Sequence, residues 1–228
     1  MIKKKRKFSK KEIKEDKLVS FVYKAQSFYE DYKNKIFTYG VVVVVAVAAA
    51  YFYVNQKRTD NENAGVELSR AMMLYDQGAY LQAIEGQQGT NIIGLKKISE
   101  EYGGTENGES AKIFLANSYS FLGNYEEALK YYEDYSGSID YFKAAAISGR
   151  AGYYASNNDY EEAADLYLEA AGVTEVNAQN PEYLLNAGIN LLKAGNKKEA
   201  KTLFETIREK YSTSLAGREI SKYLALVN

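Results

Sequence analysis

Residues 36–54, IFTYGVVVVVAVAAAYFYV, pass without one charged side chain. As a helix rising about 1.5 Å per residue, such a run covers roughly the 30 Å of a hydrocarbon core. The valines at 41–45 are β-branched and lower intrinsic helix propensity, but a lone segment in lipid has to satisfy its own backbone hydrogen bonds and is therefore helical. Lys33 and Lys35 precede the run, Lys57 and Arg58 close it, and Tyr39, Tyr51, Phe52 and Tyr53 stand where interfacial aromatics belong. Residues 36–54 are thus expected to form a single transmembrane helix.

Two other readings compete. Ala46-Val-Ala48 and Ala48-Ala-Ala50 resemble small-residue cleavage sites, as in a signal peptide. Against that, the polar leader is long and the apolar run continues through Tyr51-Phe-Tyr-Val54. A buried core helix is the second alternative, and such helices are usually shorter and less uniformly apolar.

Charge is divided unequally about this run. Residues 1–35 hold 12 Lys or Arg against 5 Asp or Glu, while residues 55–228 hold 17 against 25. The basic excess on the amino side retains that end in the cytoplasm, which places residues 55–228 outside. Residues 1–11, MIKKKRKFSKK, read as a disordered basic tail. Its cluster Lys3, Lys4, Lys5, Arg6, Lys7, Lys10 and Lys11 can attract anionic lipid at about 1 kcal/mol per charge, or touch ribosomal RNA, or act as a topology signal alone. Residues 12–35 show helical spacing: Ile13, Leu18, Val22, Ala25, Tyr29, Tyr32 and Ile36 give one apolar stripe running into the span. That pattern is expected of an amphipathic helix lying on, or rising from, the inner leaflet.

Beyond the span a phrase recurs. LANSYSFLGNYEEALKYYEDY from Leu115, RAGYYASNNDYEEAADLYLEA from Arg150 and NAGINLLKAGNKKEAKTLFETI from Asn186 share a small residue, an aromatic or leucine, a Gly/Asn turn and an alanine-led helix. A fainter copy begins at Ser69. Ala128, Ala163 and Ala200 are 35 and 37 residues apart. Period and pattern resemble the tetratricopeptide repeat, which implies an all-α fold: a transmembrane helix followed by an α-solenoid of about four repeats plus a closing helix over residues 55–228.

In that motif a small residue on each first helix faces a small residue on the second. The matching positions are Ala71, Ala116, Ala151 and Gly188 against Ala83, Ala128, Ala163 and Ala200. Leu74, Tyr119, Tyr154 and Leu191 take the aromatic position, Tyr132, Tyr167 and Phe204 the late large one, and Gly78, Gly123, Asn158 and Gly195 the turns. Arg150 stands where leucine is usual, Tyr135 replaces a small residue, and the proline that ends such repeats is missing. Ala83 and Ala128 lie 45 residues apart, so this interval holds an insertion. Residues 91–102 read as a further helix and residues 103–108 as a flexible turn. Residues 209–216 repeat the tyrosine-plus-small connection, and residues 215–227 form the closing helix.

Motif matching puts Leu68, Met72, Tyr75, Ile113, Asn117, Phe121, Tyr153, Leu185, Ile189 and Leu192 on or near a concave groove suited to an extended peptide or partner helix. Each position is also compatible with packing between neighbouring helices. Met72 and Tyr75 are the favoured groove residues.

A lysine-rich tail, the lead-in FVYKAQSFYEDYKNK, one span and a repeat domain with a long first connection together resemble the ancillary subunit family of the SecYEG translocon, whose members are single-span inner-membrane proteins with a periplasmic tetratricopeptide domain. The resemblance implies a non-enzymatic scaffold beside the translocon, with periplasmic chaperones or exported polypeptides as partners. Envelope assembly and cell-division scaffolds share enough of the pattern to stay open, as does a cleaved soluble periplasmic form.

Composition narrows the chemistry further. The chain has no cysteine and no histidine, which removes disulfides, thiol nucleophiles, thiolate or imidazole metal sites and imidazole bases. The acidic pairs Glu126/Glu127 and Glu161/Glu162 are adjacent on helices and do not face one another. Gly103-Gly104 is not followed by a phosphate-loop lysine, and no calcium-loop spacing occurs. No catalytic residue, metal site or cofactor is expected. The tyrosines fall on architectural positions of an acidic domain, which argues against nucleic-acid stacking apart from ribosome contact at the tail.

Overall fold

The computed structural model describes residues 10–227, with the side chains of residue 17 and residues 19–227. The expected basic cluster Lys3, Lys4, Lys5, Arg6 and Lys7 lies outside the described residues, as do the side chains of Lys10 and Lys11. The chain divides into two compact units, residues 1–56 and 57–228. The described residues form ten helices: α1 (Lys10–Asp76), α2 (Tyr80–Glu85), α3 (Leu95–Glu101), α4 (Glu106–Phe121), α5 (Tyr125–Glu133), α6 (Asp140–Ser156), α7 (Tyr160–Gly172), α8 (Asn180–Lys193), α9 (Lys197–Lys210) and α10 (Leu215–Val227).

In the first unit the structure is the amino-terminal part of α1. The helix is long and apolar enough to cross a membrane, by length and composition, with a mean hydropathy of 2.1 in its most apolar window. Within this unit the large apolar side chains from Val19 to Val54 are exposed. The expected amphipathic lead-in and the expected span are stretches of one unbroken helix, and that helix continues into the first repeat.

In the second unit helices pack in antiparallel succession as hairpins, α4 with α5, α6 with α7 and α8 with α9, and α10 lies against both α8 and α9. The eight small residues of the motif are all buried. Their size lets paired helices approach closely, and at α8 the fit is tightest: a Cβ on Gly188 would sit 2.3 Å from the Phe204 ring. Phe204 itself is wholly buried, which contributes about 2–3 kcal/mol. Tyr132 closes onto the next hairpin instead, its ring occupying the space that a Cβ on Gly149 would need.

The four turn residues adopt the left-handed region, Gly78 at φ +75°, Gly123 at +80°, Asn158 at +63° and Gly195 at +89°. At each, the N–H one residue later reaches back to the carbonyl of Leu74, Tyr119, Tyr154 or Leu191, the six-to-one bond that ends a helix. The aromatic position of the motif therefore also supplies the acceptor that stops its helix.

The insertion between the first two repeats differs from expectation. Tyr102 stands 19 residues after Ala83, whereas Tyr211 stands 11 after Ala200. The surplus is residues 86–93, extruded from the middle of a helix whose two halves are α2 and α3, so the further helix begins at Leu95 and not at residue 91. An isolated bridge joins Gly86 to Ile93, Gln87 N–H donates to the Ile92 carbonyl, and Thr90 Oγ1 accepts from Ile92 N–H. Gly86 holds φ +89°, and a Cβ on Gly94 would lie 2.0 Å from the Ile84 carbonyl oxygen. Glycines at both necks let the chain leave the helix and rejoin it.

The expected flexible turn at 103–108 is likewise shorter. Thr105 is the N-cap of α4, its hydroxyl accepting from Gly108 N–H and donating to the Tyr102 carbonyl. Ser214 makes the same two bonds, with Gly217 N–H and the Tyr211 carbonyl, at the start of α10. Each of these helices receives one further cap from afar: Asn61 Oδ1 takes the N–H of Asn107, and Glu182 Oε1 takes that of Ala216. The single proline, Pro181, opens α8, where its missing N–H costs nothing.

Candidate interaction surface of the repeat unit

Tyr75 is placed by the last turn of α1, Tyr80 by the first turn of α2, and Phe114 and Phe121 by α4, seven residues and two turns apart. Tyr75 meets Tyr80 and Phe114 edge-on at 5.6 and 5.4 Å, and Phe121 at 6.4 Å. Tyr80 and Phe121 stack at 4.6 Å. Phe114 continues to Phe142 on α6 at 5.7 Å, and Phe142 to Tyr141 at 5.5 Å. The result is a chain of rings drawn from α1, α2, α4 and α6, with Phe121 63% exposed and Tyr141 50% exposed. Edge-to-face rings keep their geometry without filling every void, so the surface is apolar yet rigid.

Asn117 sits one turn from Phe121 and holds the polar centre of this patch. Its Oδ1 accepts from the Tyr132 hydroxyl at 2.6 Å. Burial pushes the Tyr132 phenol up to about 12, against a weaker downward pull from Ser120. Burial raises Tyr75 as well, with the Asn117 side chain opposing it. Both phenols therefore stay neutral and act as hydrogen-bonding groups.

Of the ten residues expected along a groove, the structure brings Tyr75, Asn117 and Phe121 together, with Met72 half-buried beside Tyr75 against the first core cluster. Leu68, Ile113 and Leu185 are core residues, 8%, 1% and 6% exposed, because the face presenting them is covered by neighbouring helices. Ile189 and Leu192 are half-buried against the carboxy-terminal cluster to which α10 contributes Ala216, Ile220 and Leu224. Tyr153 belongs elsewhere: it lines a recess of about 390 Å³ with Gly123, Asn124, Tyr125, Glu126, Glu127, Ser156 and Asn157. Tyr80, Phe114, Tyr141 and Phe142 join the patch without having been expected. Phe114 lies next to Ile113 in sequence.

A second feature escaped the sequence reading. Glu109 and Lys112, both buried, pair at 2.8 Å, and Lys112 Nζ also binds Asp134 through its carboxylate at 2.8 Å and its carbonyl at 3.0 Å. Glu109 accepts from the backbone N–H of Ser136 and Gly104. Burial works against the charge on Glu109, and the bonds from Lys112, Ser136 and Gly104 outweigh it, holding the carboxyl below the usual glutamate range. Burial likewise opposes the charge on Lys112, and Asp134 and Glu109 outweigh that and raise it. The network ties α4 to the end of α5.

Glu126 and Glu127 lie in the first turn of α5, and Glu161 and Glu162 in that of α7, where their charge complements the partial positive charge of the helix N-terminus. Among the described residues no group of three or more acidic side chains is placed to hold a metal.

The family model for the tetratricopeptide repeat matches residues 113–138, which cover the second half of α4, the Gly123 turn and α5. The chain carries a tetratricopeptide repeat. That repeat holds Asn117 and Phe121, so part of the aromatic patch lies on the matched segment. No curated protein matches the chain.

Proposed function

We propose that this tetratricopeptide-repeat protein is a non-enzymatic scaffold, held in a bacterial inner membrane by residues 36–54 with its amino terminus cytoplasmic and its repeat unit periplasmic. Its partners are proteins: the SecYEG-type translocon beside it, and periplasmic chaperones or exported polypeptides at the repeat unit. The observation that carries the binding role is the ring chain from Phe121 and Tyr80 through Tyr75 to Tyr141, half-buried along its length and exposed at Phe121 and Tyr141. Rigid aromatics around one amide suit an apolar peptide segment whose backbone takes the polar contact. The anchor is supported by the length and hydropathy of α1, and the orientation by the basic excess of residues 1–35.

The test replaces Tyr75 or Phe121 by a photoreactive residue in tagged full-length protein, crosslinks in cells and identifies adducts by mass spectrometry. Adducts with translocon subunits, periplasmic chaperones or exported chains support the reading. Adducts confined to outer-membrane assembly or division proteins overturn the translocon assignment. Loss of residues 1–50 from the mature chain would overturn the anchor and leave a soluble repeat protein.

A further inference from the structure

Three hairpin interfaces of the second unit repeat one arrangement. Tyr80, Tyr125 and Tyr160 each stand three residues before a buried alanine, Ala83, Ala128 or Ala163. The next first helix brings Phe121, Ser156 or Lys193 to each of them, always from two residues before its left-handed turn. At the first interface the Phe121 ring stacks on Tyr80 at 4.6 Å, and at the third the Lys193 ammonium lies 5.1 Å from the centre of the Tyr160 ring. At the middle one Ser156 is too short to cover Tyr125, and its hydroxyl donates to the Tyr153 carbonyl in its own helix. Tyr125 and Ser156 line the recess of about 390 Å³ instead, and Tyr125 is 46% exposed where Tyr80 and Tyr160 are half-buried.

The residues after each tyrosine match its cover. Leu81 and Gln82 follow Tyr80, which a ring covers, whereas Glu161 and Glu162 follow Tyr160, which a cation covers. Glu126 and Glu127 follow Tyr125 and line its recess. We infer that this recess binds a lysine side chain of a partner polypeptide, its ammonium over the Tyr125 ring beside Glu126 and Glu127, in the place that Lys193 fills one repeat later. The face of a tyrosine ring attracts a cation through its quadrupole. The amino terminus of α5 carries partial positive charge, and the two carboxylates outweigh it as Glu161 and Glu162 do at α7. Glu127 is shared with Lys130, while Glu126 is exposed and has no ion pair among the described residues. The excess of acidic groups in residues 55–228, 25 against 17, draws cations to this unit. A smaller recess of about 210 Å³ shares Tyr125 and Tyr153, and its small lining residues Ala128, Gly149 and Gly152 leave room for the residue beside the lysine. The occupant is for that reason a lysine within a chain and not a free amine. This second contact rests on the protein-binding reading above only for what carries the lysine.

The test uses full-length protein in detergent with fluorotyrosine at position 125, titrated with the end-blocked peptide Gly-Ala-Lys-Ala-Gly and with its norleucine counterpart while the fluorine resonance is followed. The lysine peptide should give a saturable shift, with binding about fivefold or more weaker for norleucine. Glu126→Gln should weaken the lysine peptide by about threefold. Ser156→Lys, which supplies the recess with the chain's own cation, should abolish the shift with helical circular dichroism retained. Lys193→Ser uncovers Tyr160, so fluorotyrosine at position 160 should gain in that variant a lysine-dependent shift that the parent lacks. Equal binding of the two peptides, no saturable shift at position 125, a shift that survives Ser156→Lys, or no gain in Lys193→Ser overturns the inference. A lysine-dependent shift without photocrosslinks at Tyr75 or Phe121 supports this site and overturns the aromatic surface as the binding face. Photocrosslinks there with no shift at position 125 overturn this site alone.

Discussion

The first and last repeats of the second unit end in the same way but reach that end differently. In the last, α9 runs unbroken from Lys197 to Lys210 and hands over through Tyr211 and Ser214 to α10. In the first, the corresponding helix is split into α2 and α3, and it hands over through Tyr102 and Thr105 to α4 with the same hydroxyl bonds. Leu95 and Ile98 take the places of Phe204 and Ile207, and all four are wholly buried. A helix can therefore lose eight residues to an excursion and keep its packing face, provided the chain returns in phase. Here the return depends on Gly86 and Gly94.

The strongest way to break that return is Gly94→Ala. Its Cβ would meet backbone, not a movable side chain, and the expected loss is about 3–4 kcal/mol by chemical denaturation, against about 1 kcal/mol for Leu203→Ala at the corresponding point of α9. Equal losses would show that the return of the chain does not depend on Gly94.

Glu109→Gln, in the clamp between α4 and the end of α5, should cost about 2–3 kcal/mol by leaving Lys112 less well paired. The pH dependence follows from the lowered carboxyl. Its folded pKa lies below the unfolded one, so its contribution is complete above the ordinary glutamate value of about 4.3 and is lost as pH falls through the lower folded value. Denaturation curves between about pH 6 and 3 should therefore converge for wild type and variant at the acid end.

Deletion of residues 86–93, joining Glu85 to Gly94, turns the first repeat into a copy of the last. The expected change is about 1–2 kcal/mol, the loss of half-buried Ile92 and Ile93, with helical circular dichroism retained. Unfolding of this variant would mean that the excursion is part of the core.

Thr105→Ala and Ser214→Ala each remove one N-cap and should each cost about 1 kcal/mol, a matched pair in thermal melts. The smallest effect has the opposite sign. Asn158 is the single non-glycine among the described residues at positive φ, and Asn158→Gly should add about 0.5 kcal/mol by making its turn like those at Gly78, Gly123 and Gly195.

The legible part of the fold was local. Alanine and glycine at fixed intervals, and Gly or Asn at each turn, follow from helix geometry and backbone sterics, and each was found buried or left-handed as the spacing required. The interaction surface was legible only in part. Tyr75, Asn117 and Phe121 converge, but Leu68, Ile113 and Leu185 are covered, because burial on a helix face depends on which neighbour crosses it and at what angle. Tyr80, Tyr141 and Phe142 sit at helix starts, where a period of 3.6 has not yet begun to mark a face.

By itself the sequence determined the apolar run, the charge division about it, the repeat and the turns, since each is set by residues within a few positions of one another. Tertiary structure alone decided where residues 86–93 leave and rejoin their helix, that Glu109 and Lys112 are buried partners of Asp134, and that rings from α1, α2, α4 and α6 form one chain. Those features join residues distant in sequence, and their energies come from desolvation and close contact that exist only once the helices have packed.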